Sequence, residues 1–88
     1  MEAEKAFGDA LRELRRRRKL SQEALALEAG IERNYVSLLE LGKNSPSIRM
    51  LFKLSEVLDI APSALIEDVE RRLKSLGSPY EPPGLKSR

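Results

Sequence analysis

Cysteine, histidine and tryptophan are all missing from this chain of 88 residues, and only two phenylalanines and two tyrosines supply aromatic rings. Without cysteine there is no disulfide, no thiolate metal site and no thiol nucleophile. Without histidine the chain lacks the commonest general base and the commonest metal ligand. No apolar run approaches the ~20 residues that span a bilayer, and the acidic opening Met1-Glu2-Ala3-Glu4 does not read as a signal peptide. A Gly-rich phosphate loop and a nucleophile–base pair are absent too. The expectation is a reduced, cytoplasmic protein that is no enzyme and uses no cofactor or metal.

What is present suits one small, soluble, highly helical domain. Hydrophobic residues make up 41% and charged residues 34% of the chain. A chain this short buries roughly 60 to 65% of its unfolded surface, so good packing or a partner subunit has to make up the stability. The net charge of +2 says little, but its distribution says more: Arg15-Arg16-Arg17-Arg18-Lys19 puts five positive charges side by side, whereas Glu67, Asp68 and Glu70 cluster late. A local basic stripe is the electrostatic footprint of nucleic-acid binding, although it also describes an ordinary solvated helix face.

Periodicity divides the chain into five helical segments and a tail. Phe7, Leu11, Leu14 and the aliphatic stem of Arg18 mark a first helix from about Glu4 to Lys19, with Gly8 inside it at some cost. Ser21 reads as the N-cap of a second helix whose inner stripe is Leu25, Ala26 and Ala29, and Gly30 ends it in a left-handed conformation. A third helix is expected over 33–41, anchored by Val36 and Leu39 and stopped by Gly42. Asn44-Ser45-Pro46 is a loop, because proline disfavours helix at the preceding residue. Ser47 caps a fourth helix with the stripe Ile48, Leu51, Leu54, Ser55 and Leu58. The fifth, at 62–76, opens on Pro62 and closes at Gly77, with Leu65, Ile66, Val69, Leu73 and Leu76 as its apolar positions. Residues 1–77 thus form the domain, and 78–88 read as a flexible tail.

The segment from Gln22 to Glu40 satisfies several demands in one register. Two steeply crossing helices need a small residue at the crossing, and Ala26 is there. The turn between them needs a residue that tolerates positive φ, and Gly30 is there. Ile31 follows as an inward-pointing pin. Val36 and Leu39 then anchor the second helix and leave its opposite face free to enter a major groove. The reading is a helix-turn-helix.

Leu20-Ser21-Gln22-Glu23-Ala24-Leu25-Ala26, Gly30-Ile31, Tyr35-Val36-Ser37, Glu40-Leu41-Gly42-Lys43 and Pro46-Ser47 together resemble the phage-repressor-like (Cro/cI, Xre) helix-turn-helix family of transcriptional regulators. The Arg33-Asn34-Tyr35-Val36-Ser37 run is also similar to that of restriction–modification controller proteins, a subgroup of that family. The resemblance implies an all-α, compact five-helix, lambda-repressor-like DNA-binding domain of a prokaryotic, nucleoid-associated regulator that binds a palindromic operator. It places Arg33, Asn34, Ser37 and Leu38 against bases, though Leu38 departs from the polar or basic residue often found there. It places Ser21, Gln22, Tyr35, Lys43 and Asn44 against phosphates. It also implies a structural ion pair between Arg15 and Glu40.

One short recognition helix touches few base pairs, which favours a homodimer reading two half-sites about 34 to 36 Å apart. Met50, Phe52, Leu65, Ile66, Val69 and Leu73 are the expected dimer interface, because the fifth helix holds more apolar residues than so small a core needs. The competing reading is an antitoxin or a coactivator-like module whose main partner is a protein, either a toxin or RNA polymerase. Leu27, Leu38 and Leu41, expected to be exposed, favour it. No membrane or small-molecule partner is expected.

Overall fold

Five helices carry residues 2–75, the part of the chain that the computed structural model describes. They are α1 (Glu2–Arg17), α2 (Gln22–Ala29), α3 (Arg33–Glu40), α4 (Ile48–Val57) and α5 (Pro62–Ser75). No strand occurs among the described residues, and the all-α reading of the sequence holds. Met1, Leu76, Gly77 and the expected tail at 78–88 lie outside the described residues.

Local chemistry explains the helix ends. The first turn of α1 carries Glu2 and Glu4 and its last turn Arg15, Arg16 and Arg17, each sign opposing the helix dipole. Ser21 Oγ accepts from the Ala24 amide at 3.0 Å, and Ser47 Oγ accepts from the Met50 amide at 3.1 Å, so both serines cap as expected. Four helices end in the same left-handed turn, with the amide after the turn residue returning to a carbonyl five residues earlier. These bonds run from Leu20 to Arg15, Ile31 to Ala26, Lys43 to Leu38 and Ile60 to Ser55, at 3.0 to 3.1 Å. Glycine fills that position only at 30 and 42; Lys19 (φ 59°) and Asp59 (φ 57°) fill it in the other two. Helix α1 therefore stops two residues before the Lys19 expected from periodicity. Arg18 turns outward toward Asp59, 3.5 Å away, and does not join the apolar stripe.

The core lies where the five inner faces meet. Leu11, Leu25, Val36, Leu39, Leu54 and Leu65 are completely buried, one or two from each helix. Burial of each such side chain contributes roughly 1.5 to 3 kcal/mol. Buried Ser55 satisfies its hydroxyl by donating to the Leu51 carbonyl at 2.8 Å. Helix α1 packs on α3 and α5, α2 on α3 and α4, and α4 on α5. The side chain of Arg72 in α5 donates to Glu13 in α1, tying the ends of the chain's helical body together.

Gly8 has a structural reason to be in α1. A Cβ built there would stand 2.5 Å from the carbonyl oxygens of both Leu39 and Glu40, so α1 runs directly against the last turn of α3. Three expected positions fall elsewhere. Ile48, assigned to the inner stripe of α4, is exposed at the first turn. Leu65 and Leu73, expected at a subunit interface, are buried inside the monomer. Leu65, Val69 and Leu73 follow one another at i, i+4 and i+8 and form the stripe that α5 turns to its own core; Ile66 lies about 100° around the helix and stays outside.

Candidate nucleic-acid interface

The turn between α2 and α3 is built as the sequence requires. Gly30 sits at φ 70° and its amide and that of Ile31 close α2 onto Leu27 and Ala26. Ala26 and Ala29 are buried against the neighbouring helices, and Ile31 packs on the core. Glu32 precedes α3 in extended conformation but gives it no side-chain cap.

Helix α3 has two faces. Val36, Leu39 and Glu40 are buried. Arg33 and Asn34 are exposed, Ser37 and Leu38 half-buried and Leu41 exposed, so the outward positions follow at i, i+1, i+4, i+5 and i+8. That spacing makes a continuous strip along one side of the helix. Lys43, exposed, and Asn44, half-buried, follow just past the helix end. Tyr35 sits at the edge, its ring partly buried on the core. The four expected base-reading residues are thus brought onto one surface, with two expected phosphate-binding residues, Lys43 and Asn44, next along the chain.

Behind that strip lies a buried polar network. Arg15 Nε donates to Glu40 Oε2 at 2.6 Å and Nη2 to Oε1 at 3.0 Å, a two-pronged pair, while Nη1 donates to the Leu20 carbonyl at 2.8 Å. The pair implied by the resemblance is present. Glu40 is 1% exposed, and burial pushes its carboxyl toward the neutral form. Hydrogen bonds from Arg15 and Gln22 and the charges of Arg15 and Arg12 outweigh that push and hold it below the ordinary carboxylate range. The one carboxylate in the body of α3 is therefore both hidden and neutralised, which spares an approaching polyanion its repulsion.

Gln22 stands in a setting the sequence did not indicate. Its Nε2 donates to Glu40 Oε1 at 3.0 Å, so the first residue of α2 is tied to the last residue of α3. Ser21 is exposed beside it, its oxygen occupied by the cap. Arg12, unremarked in the sequence, brings its Nε to 3.5 Å from Glu40 Oε1. Its place three residues before Arg15, on the same side of α1, was the available signal. Among the described residues no acidic cluster could hold a metal ion, and no helix is long and apolar enough to cross a membrane.

A family model described as helix-turn-helix matches residues 11–65. The chain belongs to the helix-turn-helix family. Control protein C.MunI from a Mycoplasma species is 39% identical over 66 residues, spanning 74% of this chain and 89% of that protein. Among solved structures, the restriction-modification controller protein C.AhdI from Aeromonas hydrophila is 44% identical with a TM-score of 0.69, over 70% of this chain and 94% of that one. The clp gene regulator ClgR from Corynebacterium glutamicum has a TM-score of 0.82 over 85% of this chain and 80% of its own; at 21% identity it speaks for the fold alone. In this helix-turn-helix chain the matched segment runs from the middle of α1 to the first turn of α5, so the exposed Ile66 falls just outside it.

Proposed function

We propose that this chain is a DNA-binding transcriptional regulator of the controller type, which reads a palindromic operator as a homodimer with α3 in the major groove. The observation that carries the reading is the two-faced α3: one face locked through Glu40 to Arg15 and Gln22, the other offering Arg33, Asn34 and Ser37. Arg33 suits a two-pronged contact to guanine O6 and N7, Asn34 the matching contact to adenine N6 and N7, and Ser37 either base. Leu38 contacts a thymine methyl through the part of its surface that remains open. Lys43 and Asn44 meet phosphates beyond the helix end, and Tyr35 presents its hydroxyl to a phosphate from the edge. Ser21, through the hydroxyl proton that its cap leaves over, and Gln22, through the second hydrogen of its Nε2, hold a phosphate at the start of α2, where the first amides and the helix dipole favour an anion.

An exposed apolar patch on α4 and α5 supports the dimer. Phe52 (58% exposed) and Ile66 (47% exposed), with half-buried Met50, form the apolar surface left over once Leu65, Val69 and Leu73 are assigned to the core. The regulator acts by occupancy of its site. The test is selection from a random duplex pool at two salt concentrations: a two-fold symmetric consensus with affinity falling steeply as salt rises is expected. Recovery of no preferred sequence overturns the reading. One observation favours a second reading, a protein partner such as a toxin or RNA polymerase: Leu27, 82% exposed on the outer face of α2. Co-purification of a stoichiometric partner chain would support it, and its absence would remove it.

A further inference from the structure

Phe52 and Pro62 stand between two surface grooves of opposite charge. One groove, toward the α2–α3 turn, is lined by Arg49 and Lys53 with Met50 and Ile60. The other, between α4 and α5, is lined by Leu51, Ile66, Glu67 and Glu70. Across the face α4 thus carries Arg49 and Lys53 with Phe52, and α5 carries Glu67 and Glu70 with Ile66. Glu56 also lines the first groove, which reduces its basic excess without reversing it. None of Arg49, Lys53, Glu67 and Glu70 forms an ion pair with another described residue.

A two-fold axis lies in the plane of the interface it creates, and it sets each point of the surface against its mirror position across that axis. A face that runs from positive to negative across its middle is thereby complementary to itself. We infer that a second copy of this chain docks on α4 and α5 with the axis passing between Phe52 and Ile66. Phe52 then meets the partner's Ile66, and Arg49 and Lys53 meet the partner's Glu67 and Glu70. This rests on the dimer reading above and adds the register that specifies it. A shift or rotation of the partner would bring like charges together, so the charges select one arrangement while the apolar centre supplies most of the affinity.

The test uses two variants of the full chain, Arg49→Glu/Lys53→Glu and Glu67→Lys/Glu70→Lys, with circular dichroism to establish that each folds. Their assembly is read by sedimentation equilibrium, alone and as an equimolar mixture. The first variant carries negative charge on both flanks and the second positive charge on both. Each alone is expected to dimerise on the order of 100-fold more weakly than the unaltered chain. The mixture is expected to recover a one-to-one heterodimer. If both variants dimerise as the unaltered chain does, the charge register is wrong and the dimer reading survives. If the unaltered chain is a monomer, both are overturned. Phe52→Ala gives an independent readout: dimerisation weakens at least about tenfold while the monomer melts unchanged, since more than half of that side chain is exposed. Unchanged dimerisation there would contradict the placement of the axis.

Discussion

Replacing Arg15 by alanine strands Glu40, which is 1% exposed and takes two of its hydrogen bonds from that guanidinium. Removing one member of a buried pair costs about 3 to 5 kcal/mol, because the partner charge stays buried without compensation. Gln22 still donates at 3.0 Å and Arg12 remains 3.5 Å away, which puts the expected loss near the lower end, about 3 kcal/mol. A domain of this size shifts its midpoint by about 4 to 8 °C per kcal/mol, so Tm should fall by roughly 12 to 24 °C. Urea and thermal unfolding followed by circular dichroism measure both. The pH dependence sharpens the test. In the unaltered chain the Glu40 carboxyl is held below its ordinary value of 4.5, so the pair's stabilisation is present above that pH and is lost as the pH falls through the folded value. In Arg15→Ala burial dominates and raises the same carboxyl, so the variant loses stability as pH rises. The difference between the two proteins should therefore shrink in acid. A loss below about 1 kcal/mol, or one that does not shrink below pH 4.5, would show the pair to be worth no more than an exposed one and refute the reasoning.

Three further outcomes follow from the same packing. Gly8→Ala forces a methyl to within 2.5 Å of two backbone carbonyls and should cost about 2 kcal/mol or more in urea unfolding, despite alanine's better helix propensity; a neutral result would mean that α1 is free to move away from α3. Lys19→Gly relieves a left-handed residue at φ 59° and should stabilise by about 1 kcal/mol, seen as a raised Tm. Leu65→Ala should lose about 2 to 5 kcal/mol against the unaltered chain compared at equal protein concentration, with dimerisation of the folded chain unchanged, because that side chain is wholly buried within one chain; a weakened dimerisation constant would return it to the subunit interface.

The parts of the fold that were legible in the sequence are those fixed by local chemistry. Ser21 and Ser47 announce helix starts because their hydroxyls suit the cap, and Gly30 announces a left-handed turn because glycine adopts it without strain. Lys19 and Asp59 adopt the same turn with nothing in their type to signal it, and the end of α1 was misplaced for that reason. Gly8 reads as a weakness of α1 until the carbonyls of α3 are beside it, a contact between elements that no local rule contains. In α5 the apolar residues occupy more than one stripe, so periodicity could not say that Leu65 and Leu73 face inward while Ile66 faces out. The pair of Arg15 and Glu40 lies 25 residues apart in sequence, and family resemblance supplied it. The same resemblance pointed to Gln22 as a phosphate ligand without indicating that Glu40 holds its amide.

The central claim is that the outer face of α3 reads bases, and the most direct measurement is the change in selected operator caused by Arg33→Ala. The variant is expected to stay folded and to lose about 1 to 3 kcal/mol of binding. Its selected consensus should relax at one base pair in each half-site, the two positions related by the operator's two-fold symmetry. Uniform weakening on every sequence, with the consensus intact, would make Arg33 a phosphate contact and contradict the placement of α3 in the groove.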